Sequence, residues 1–103
     1  MSWAICWSRA AKGDLLDIWL YIAHENLAAA DRQIDRIENA VNKLSDYPRL
    51  GPARHDVGPE VRGLIVNRYL VLYRILESAA QLELLRVIDG RRDLSAVFSG
   101  GEP

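Results

Sequence analysis

Two segments near the carboxyl end restrict this chain's options: YLVLYRIL, Tyr69 to Leu76, and LELLRVID, Leu82 to Asp89. Both are apolar on nearly every residue. A strand with one wet face alternates apolar and polar positions; a strand apolar on both sides must be covered on both. The second segment then closes on Gly90-Arg91-Arg92-Asp93. With 103 residues, the chain has room for one domain and few other elements to supply that cover.

The rest of the chain reads as a short strand, two helices and a third long strand. Trp3 to Trp7 is apolar and aromatic, and Ser8 is a helix N-cap by type and position. From Arg9 to about Asn26 the period lengthens. Ala11, Leu15, Ile18, Trp19 and Ile22 share one helical face, with Asp14, Asp17, Tyr21, His24 and Glu25 on the opposite side. Gly13 interrupts this helix at a penalty of ~1 kcal/mol. A second helix, about Ala28 to Ser45, places Ile34, Ile37, Val41 and Leu44 inward and Arg32, Asp35, Arg36, Asn39 and Lys43 outward. The short connection at Asn26-Leu27 makes the two a helical hairpin. Tyr47-Pro48-Arg49-Leu50-Gly51-Pro52 stops it. Strands are expected at Val61 to Val66, Tyr69 to Leu76 and Leu82 to Asp89, with a tight turn at Asn67-Arg68. A short helix from Arg91 to about Phe98 would finish the fold.

The simplest hairpin register sorts the side chains into two faces. Leu70, Leu72, Arg74, Leu82, Leu84, Arg86 and Ile88 fall on one; Arg62, Leu64, Val66, Tyr69, Val71, Tyr73, Leu85 and Val87 fall on the other. The helical hairpin covers one face. The second, apolar and carrying Arg74 and Arg86, is then expected to meet a protein partner, the alternative being cover by the N-terminal strand, the terminal helix and a homodimer contact.

Composition narrows the chemistry. Lys plus Arg number 13 against 14 Asp plus Glu, a net charge of −1, without the basic excess of a protein that grips nucleic-acid phosphates. The single cysteine, Cys6, excludes an internal disulfide and points to an intracellular, cytoplasmic setting, with Cys6 expected as buried filler. His24 and His55 have no cysteine or histidine at ligand spacing, so no metal site and no cofactor are expected. No run of about 18 apolar residues suggests a membrane span.

The order strand, helical hairpin, Pro-x-x-Gly loop and three strands carries Leu44-x-x-x-Pro48-x-x-Gly51, Val61-Arg62, Tyr69-x-Val71-x-Tyr73-Arg74-Ile75 and Val87-Ile88-x-Gly90-Arg91-Arg92-Asp93. Over roughly Trp3 to Phe98 this resembles the RelE/ParE superfamily of toxins from bacterial type II toxin–antitoxin modules. The resemblance implies an α+β fold, β-α-α-β-β-β, with the helical hairpin on an antiparallel sheet. It also implies an antitoxin partner in a hetero-oligomer that reaches DNA indirectly, through the antitoxin. RelE-like members cut mRNA on the ribosome; ParE-like members inhibit DNA gyrase. RelE-like nucleases use basic residues at alternate positions of the second strand, an arginine in the third, one after the last, and a terminal tyrosine or histidine. Here those positions fall on Arg62 and Leu64, on Leu70, on Arg92 and on Phe98. Two cations remain, without a proton-transfer partner. Arg92-Asp93-Leu94-x-Ala96-x-Phe98 instead resembles the terminal segment of ParE-like toxins. The resemblance therefore implies a gyrase inhibitor neutralised by a ParD-like antitoxin. The target contacts would be Arg62, Arg91, Arg92 and Phe98, and the antitoxin contacts Arg74, Arg86, Leu72, Leu84 and Trp19. A ribosome-dependent endoribonuclease and an inactive, antitoxin-binding co-repressor are the alternatives.

Overall fold

The computed structural model describes residues 2–90. The expected terminal helix, and with it Arg91, Arg92 and Phe98, lies outside the described residues. The elements are β1 (Ala4–Trp7), α1 (Arg9–Ala23), α2 (Leu27–Leu44), β2 (Val61–Val66), β3 (Tyr69–Leu76) and β4 (Gln81–Asp89). The fold is α+β in the expected order β-α-α-β-β-β. Among the described residues no helix is long and apolar enough to cross a membrane.

Local chemistry sets the element ends. Ser8 caps α1, its Oγ accepting from the Ala11 N–H at 3.0 Å. Asn26 does more than stop α1: its Oδ1 accepts from the Ala29 N–H at 2.9 Å and so starts α2. Asn67 takes φ 58° at the β2–β3 turn, a conformation asparagine tolerates better than most residues. A single 3-10 turn, Glu77–Ala79, joins β3 to β4.

The sheet order is β1-β4-β3-β2. The β2–β3 and β3–β4 pairs are antiparallel, as expected, but β1 runs parallel to β4, so the sheet is mixed. The hairpin α1–α2 carries the chain away from the β1 edge, and β4 returns to it in the same direction. At the other edge, Pro52 and Arg54 pair with β2. The Gly63 N–H donates to the Pro52 carbonyl at 3.0 Å, and the Arg54 N–H donates to the Val61 carbonyl at 2.8 Å. That short pairing covers part of an edge that would otherwise be open.

The main core lies between helices and sheet, where Ala11, Ile37, Val41 and Leu44 meet Val71, Tyr73, Leu82, Leu84 and Val87. Each such Leu, Ile or Val contributes about 1.5–3 kcal/mol. Three expectations are corrected here. Leu82 and Leu84 are on the helix-covered side, not beside Leu70 and Leu72. Leu72 lies opposite Arg86 and Tyr73 opposite Leu84, so Leu85 is an extra residue, a β-bulge. A one-residue insertion reverses the faces of everything beyond it. Nor is the second face bare: Val61, Leu70, Leu72 and Ile88 are buried there, with Val57 and Leu85 packed against them. Cys6, expected as buried filler, is exposed, because β1 is an edge strand and Cys6 points away from the core.

Candidate functional site

The bulge in β4 leaves a strand edge that β1 does not reach, since β1 pairs only with Gln81 to Leu84. Two side chains from the start of the helical layer occupy that edge. Ser8 Oγ donates to the Leu85 carbonyl at 3.0 Å, so one hydroxyl both caps α1 and satisfies the bulge. Asp14, six residues further on, receives three hydrogen bonds. Oδ2 accepts from Arg86 Nε at 2.8 Å and from the Val87 N–H at 2.8 Å; Oδ1 accepts from Arg86 Nη2 at 2.9 Å. The Asp14 side chain is 12% exposed and that of Arg86 30%. Hydrogen bonding to Asp14 raises the Arg86 guanidinium above its already high ordinary value, against the opposing effect of burial.

Asp14 was expected on the side of its helix opposite the apolar face, and Arg86 at an antitoxin contact. The structure joins them. Asp14 stands on the flank of the apolar face, one turn before Ile18. That position is visible in the sequence; the bulge it bonds to is not. Arg74 also finds its carboxylate within the chain, Nε to Glu83 Oε1 at 2.6 Å, across the β3–β4 pair. Leu72 and Leu84 are fully buried and present no surface. The Trp19 indole N–H donates to Asp31 Oδ1 at 2.9 Å, tying α1 to α2. Arg62 is likewise committed: Nε donates to the Gly51 carbonyl at 2.6 Å and Nη2 to the Arg49 carbonyl at 3.3 Å.

The Pro48-x-x-Gly51 signature has a physical cause. Buried Tyr73 donates its hydroxyl to the Pro48 carbonyl at 2.6 Å and accepts from the Gly51 N–H at 3.0 Å. A Cβ on Gly51 would lie 2.9 Å from the Tyr73 hydroxyl and from the Gly63 carbonyl oxygen, closer than side-chain carbons approach other atoms. The loop and the third strand therefore specify each other.

Between α1 and the end of β4 lies an open cleft of about 370 Å³. Ile18, Tyr69, Val87 and Ile88 supply apolar surface; Asp14, Asp17, Asp89, Tyr21 and Arg68 supply polar groups. Arg68 bridges to Asp89 at 2.8 Å and lies 5.8 Å from the centre of the Tyr69 ring. Burial pushes the Tyr69 hydroxyl above the ordinary tyrosine range, with Arg68 opposing. Among the described residues no group of His, Cys, Asp and Glu could hold a metal ion. The cleft offers apolar surface and exposed carboxylate, which suit it to holding a peptide segment.

The family model for the ParE toxin of the type II toxin–antitoxin system parDE matches residues 5–94. The chain belongs to the ParE toxin family. Toxin ParE3 of Caulobacter vibrioides is 36% identical over 90 residues, covering 86% of this chain and 88% of that toxin. The fold matches a chain of the chromosomal ParDE system of P. aeruginosa with a TM-score of 0.72 at 22% identity, covering 85% of this chain and 96% of the other. It also matches a chain of the RelBE2 toxin–antitoxin complex of Mycobacterium tuberculosis, with a TM-score of 0.61 at 26% identity, covering 86% and 99%. This ParE-family chain is thus a toxin of the type II toxin–antitoxin class, within the ParE/RelE superfamily.

Proposed function

We propose that this toxin inhibits DNA gyrase, trapping its cleaved DNA complex, that it cuts no nucleic acid itself, and that a ParD-like antitoxin neutralises it in the cytoplasm. Arg62 carries this reading. It stands where a RelE-like nuclease would place a phosphate-binding cation, yet its guanidinium closes the loop through the Gly51 and Arg49 carbonyls. A cation so committed is poorly placed to meet the charge that develops when a 2′-hydroxyl attacks a phosphate. Leu64 and Leu70 bring no charge to the neighbouring positions. His24 and His55 are both exposed, one just past α1 and the other in the loop before β2.

The antitoxin segment lies in the cleft between α1 and β4, against Ile18, Tyr21, Tyr69 and Val87. Arg91, Arg92 and Phe98, after the last strand, contact gyrase. The test is a supercoiling and DNA-cleavage assay with gyrase, run beside an mRNA-cleavage assay on translating ribosomes. The expected result is blocked supercoiling and accumulated cleaved DNA, both lost when Arg91 and Arg92 are both replaced by alanine, with mRNA intact throughout. Cut mRNA with unaffected gyrase would overturn the proposal.

A further inference from the structure

The cleft between α1 and the end of β4 holds one pairing of groups twice, once complete and once open. On the strand side Arg68 completes it: the guanidinium bridges to Asp89 at 2.8 Å and lies 5.8 Å from the centre of the Tyr69 ring. A carboxylate and an aromatic face together are the two partners that suit a planar cation. On the helix side, Asp17 and Tyr21 stand four residues apart on α1, hence on one face of it, and both line the cleft. Both are exposed, Tyr21 by 75%. Neither side chain has an ion pair or a cation over its ring among the described residues. The other carboxylates of the cleft are matched, Asp14 by Arg86 and the Val87 N–H, and Asp89 by Arg68. Among the described residues, Asp17 is the charge of the cleft left without a counterpart.

We propose that the antitoxin segment anchors in this cleft through an arginine, whose guanidinium pairs with Asp17 and stacks on the Tyr21 ring; this rests on the placement of the antitoxin in the cleft. Charge complementarity selects the side chain. A neutral or acidic segment would strip water from Asp17 and return nothing for it, whereas a cation restores what desolvation removes. A lysine would meet the carboxylate as a point charge. A guanidinium can take both carboxylate oxygens and lie flat on a ring, as Arg68 combines a carboxylate and a ring on the opposite side. The methylene stem of the arginine has Ile18, one residue along α1, to pack against.

The test is binding of the antitoxin that copurifies with this toxin from its own module, measured by titration calorimetry at several salt concentrations. Amide resonances of Val87 and Ile88 in isotope-labelled toxin report separately whether the cleft is filled. Asp17→Asn is expected to weaken binding about tenfold and to flatten its salt dependence. Tyr21→Ala weakens it by a similar factor, and Tyr21→Phe, which keeps the ring, leaves it nearly unchanged. Both positions are exposed, so the variants are expected to keep the fold, checked by circular dichroism. Asp17→Arg is expected to weaken binding about a hundredfold, and glutamate in place of one arginine of the antitoxin should restore it. Shifts at Val87 and Ile88 with an affinity indifferent to Asp17→Asn and Asp17→Arg would overturn the arginine anchor while leaving the antitoxin in the cleft. So would an impaired Asp17→Arg that no arginine position of the antitoxin rescues. Tight binding with neither amide shifted would overturn the placement of the antitoxin, and the anchor with it.

Discussion

Asp14 is the residue on which the helical layer and the last strand depend. It carries a bidentate guanidinium and one backbone N–H at an otherwise open strand edge. Removing one member of a sheltered ion pair leaves the other desolvated and unmatched, which costs more than the pair itself contributes. Asp14→Ala is therefore expected to destabilise the fold by about 2–3 kcal/mol, read from urea unfolding. Adding Arg86→Met should recover part of that loss, because the stranded cation is gone; a coupling of about 1–2 kcal/mol is expected from the double-mutant cycle. Additive losses would mean that the two side chains do not act as a pair. The sequence showed an aspartate on a helix and an arginine in an apolar strand. Neither residue names its partner, because the two stand 72 positions apart.

Among the elements, the loop between α2 and β2 is the most closely specified. Its anchor is one hydroxyl, that of Tyr73, placed between the Pro48 carbonyl and the Gly51 N–H. Tyr73→Phe keeps the ring in the core and removes both bonds, leaving a buried N–H without its acceptor. A loss of about 1–3 kcal/mol is expected, together with faster proteolysis between Tyr47 and Glu60. Gly51→Ala should destabilise by about 1–3 kcal/mol through overpacking, including in the Tyr73→Phe background, since the Gly63 carbonyl contact persists. Limited proteolysis and thermal melting of the three variants check both expectations. An unchanged cleavage rate in Tyr73→Phe would show that the hydroxyl does not hold the loop. The Pro-x-x-Gly spacing was legible in the sequence as a breaker; its reading by a tyrosine two strands later was not.

At the scale of the whole molecule, charge is the informative quantity. A net charge of −1 gives no general attraction to phosphate, so under the proposed gyrase reading the toxin should reach DNA through the enzyme. In a gel-shift experiment at physiological salt, the chain alone is expected to leave linear duplex DNA unshifted at micromolar concentration. It should be retained when gyrase is added. A tight complex with bare DNA, weakening steeply as salt rises, would instead indicate direct phosphate contacts and favour a nucleic-acid substrate.

The sequence by itself determined the order of the elements among the described residues and the approximate span of each. Those features follow from periodicity and end chemistry within a few residues: Ser8 and Asn26 as caps, Tyr47 to Pro52 as a stop, Asn67 as a turn. Tertiary structure decided which side each strand residue faces. The bulge at Leu85 moves Leu82 and Leu84 under the helices, and it is held by Ser8 and Asp14 from the far end of the chain. Register in a sheet apolar on both faces is weakly encoded by pattern, because a one-residue slip exchanges one apolar face for another. Only contacts between distant segments can break that degeneracy.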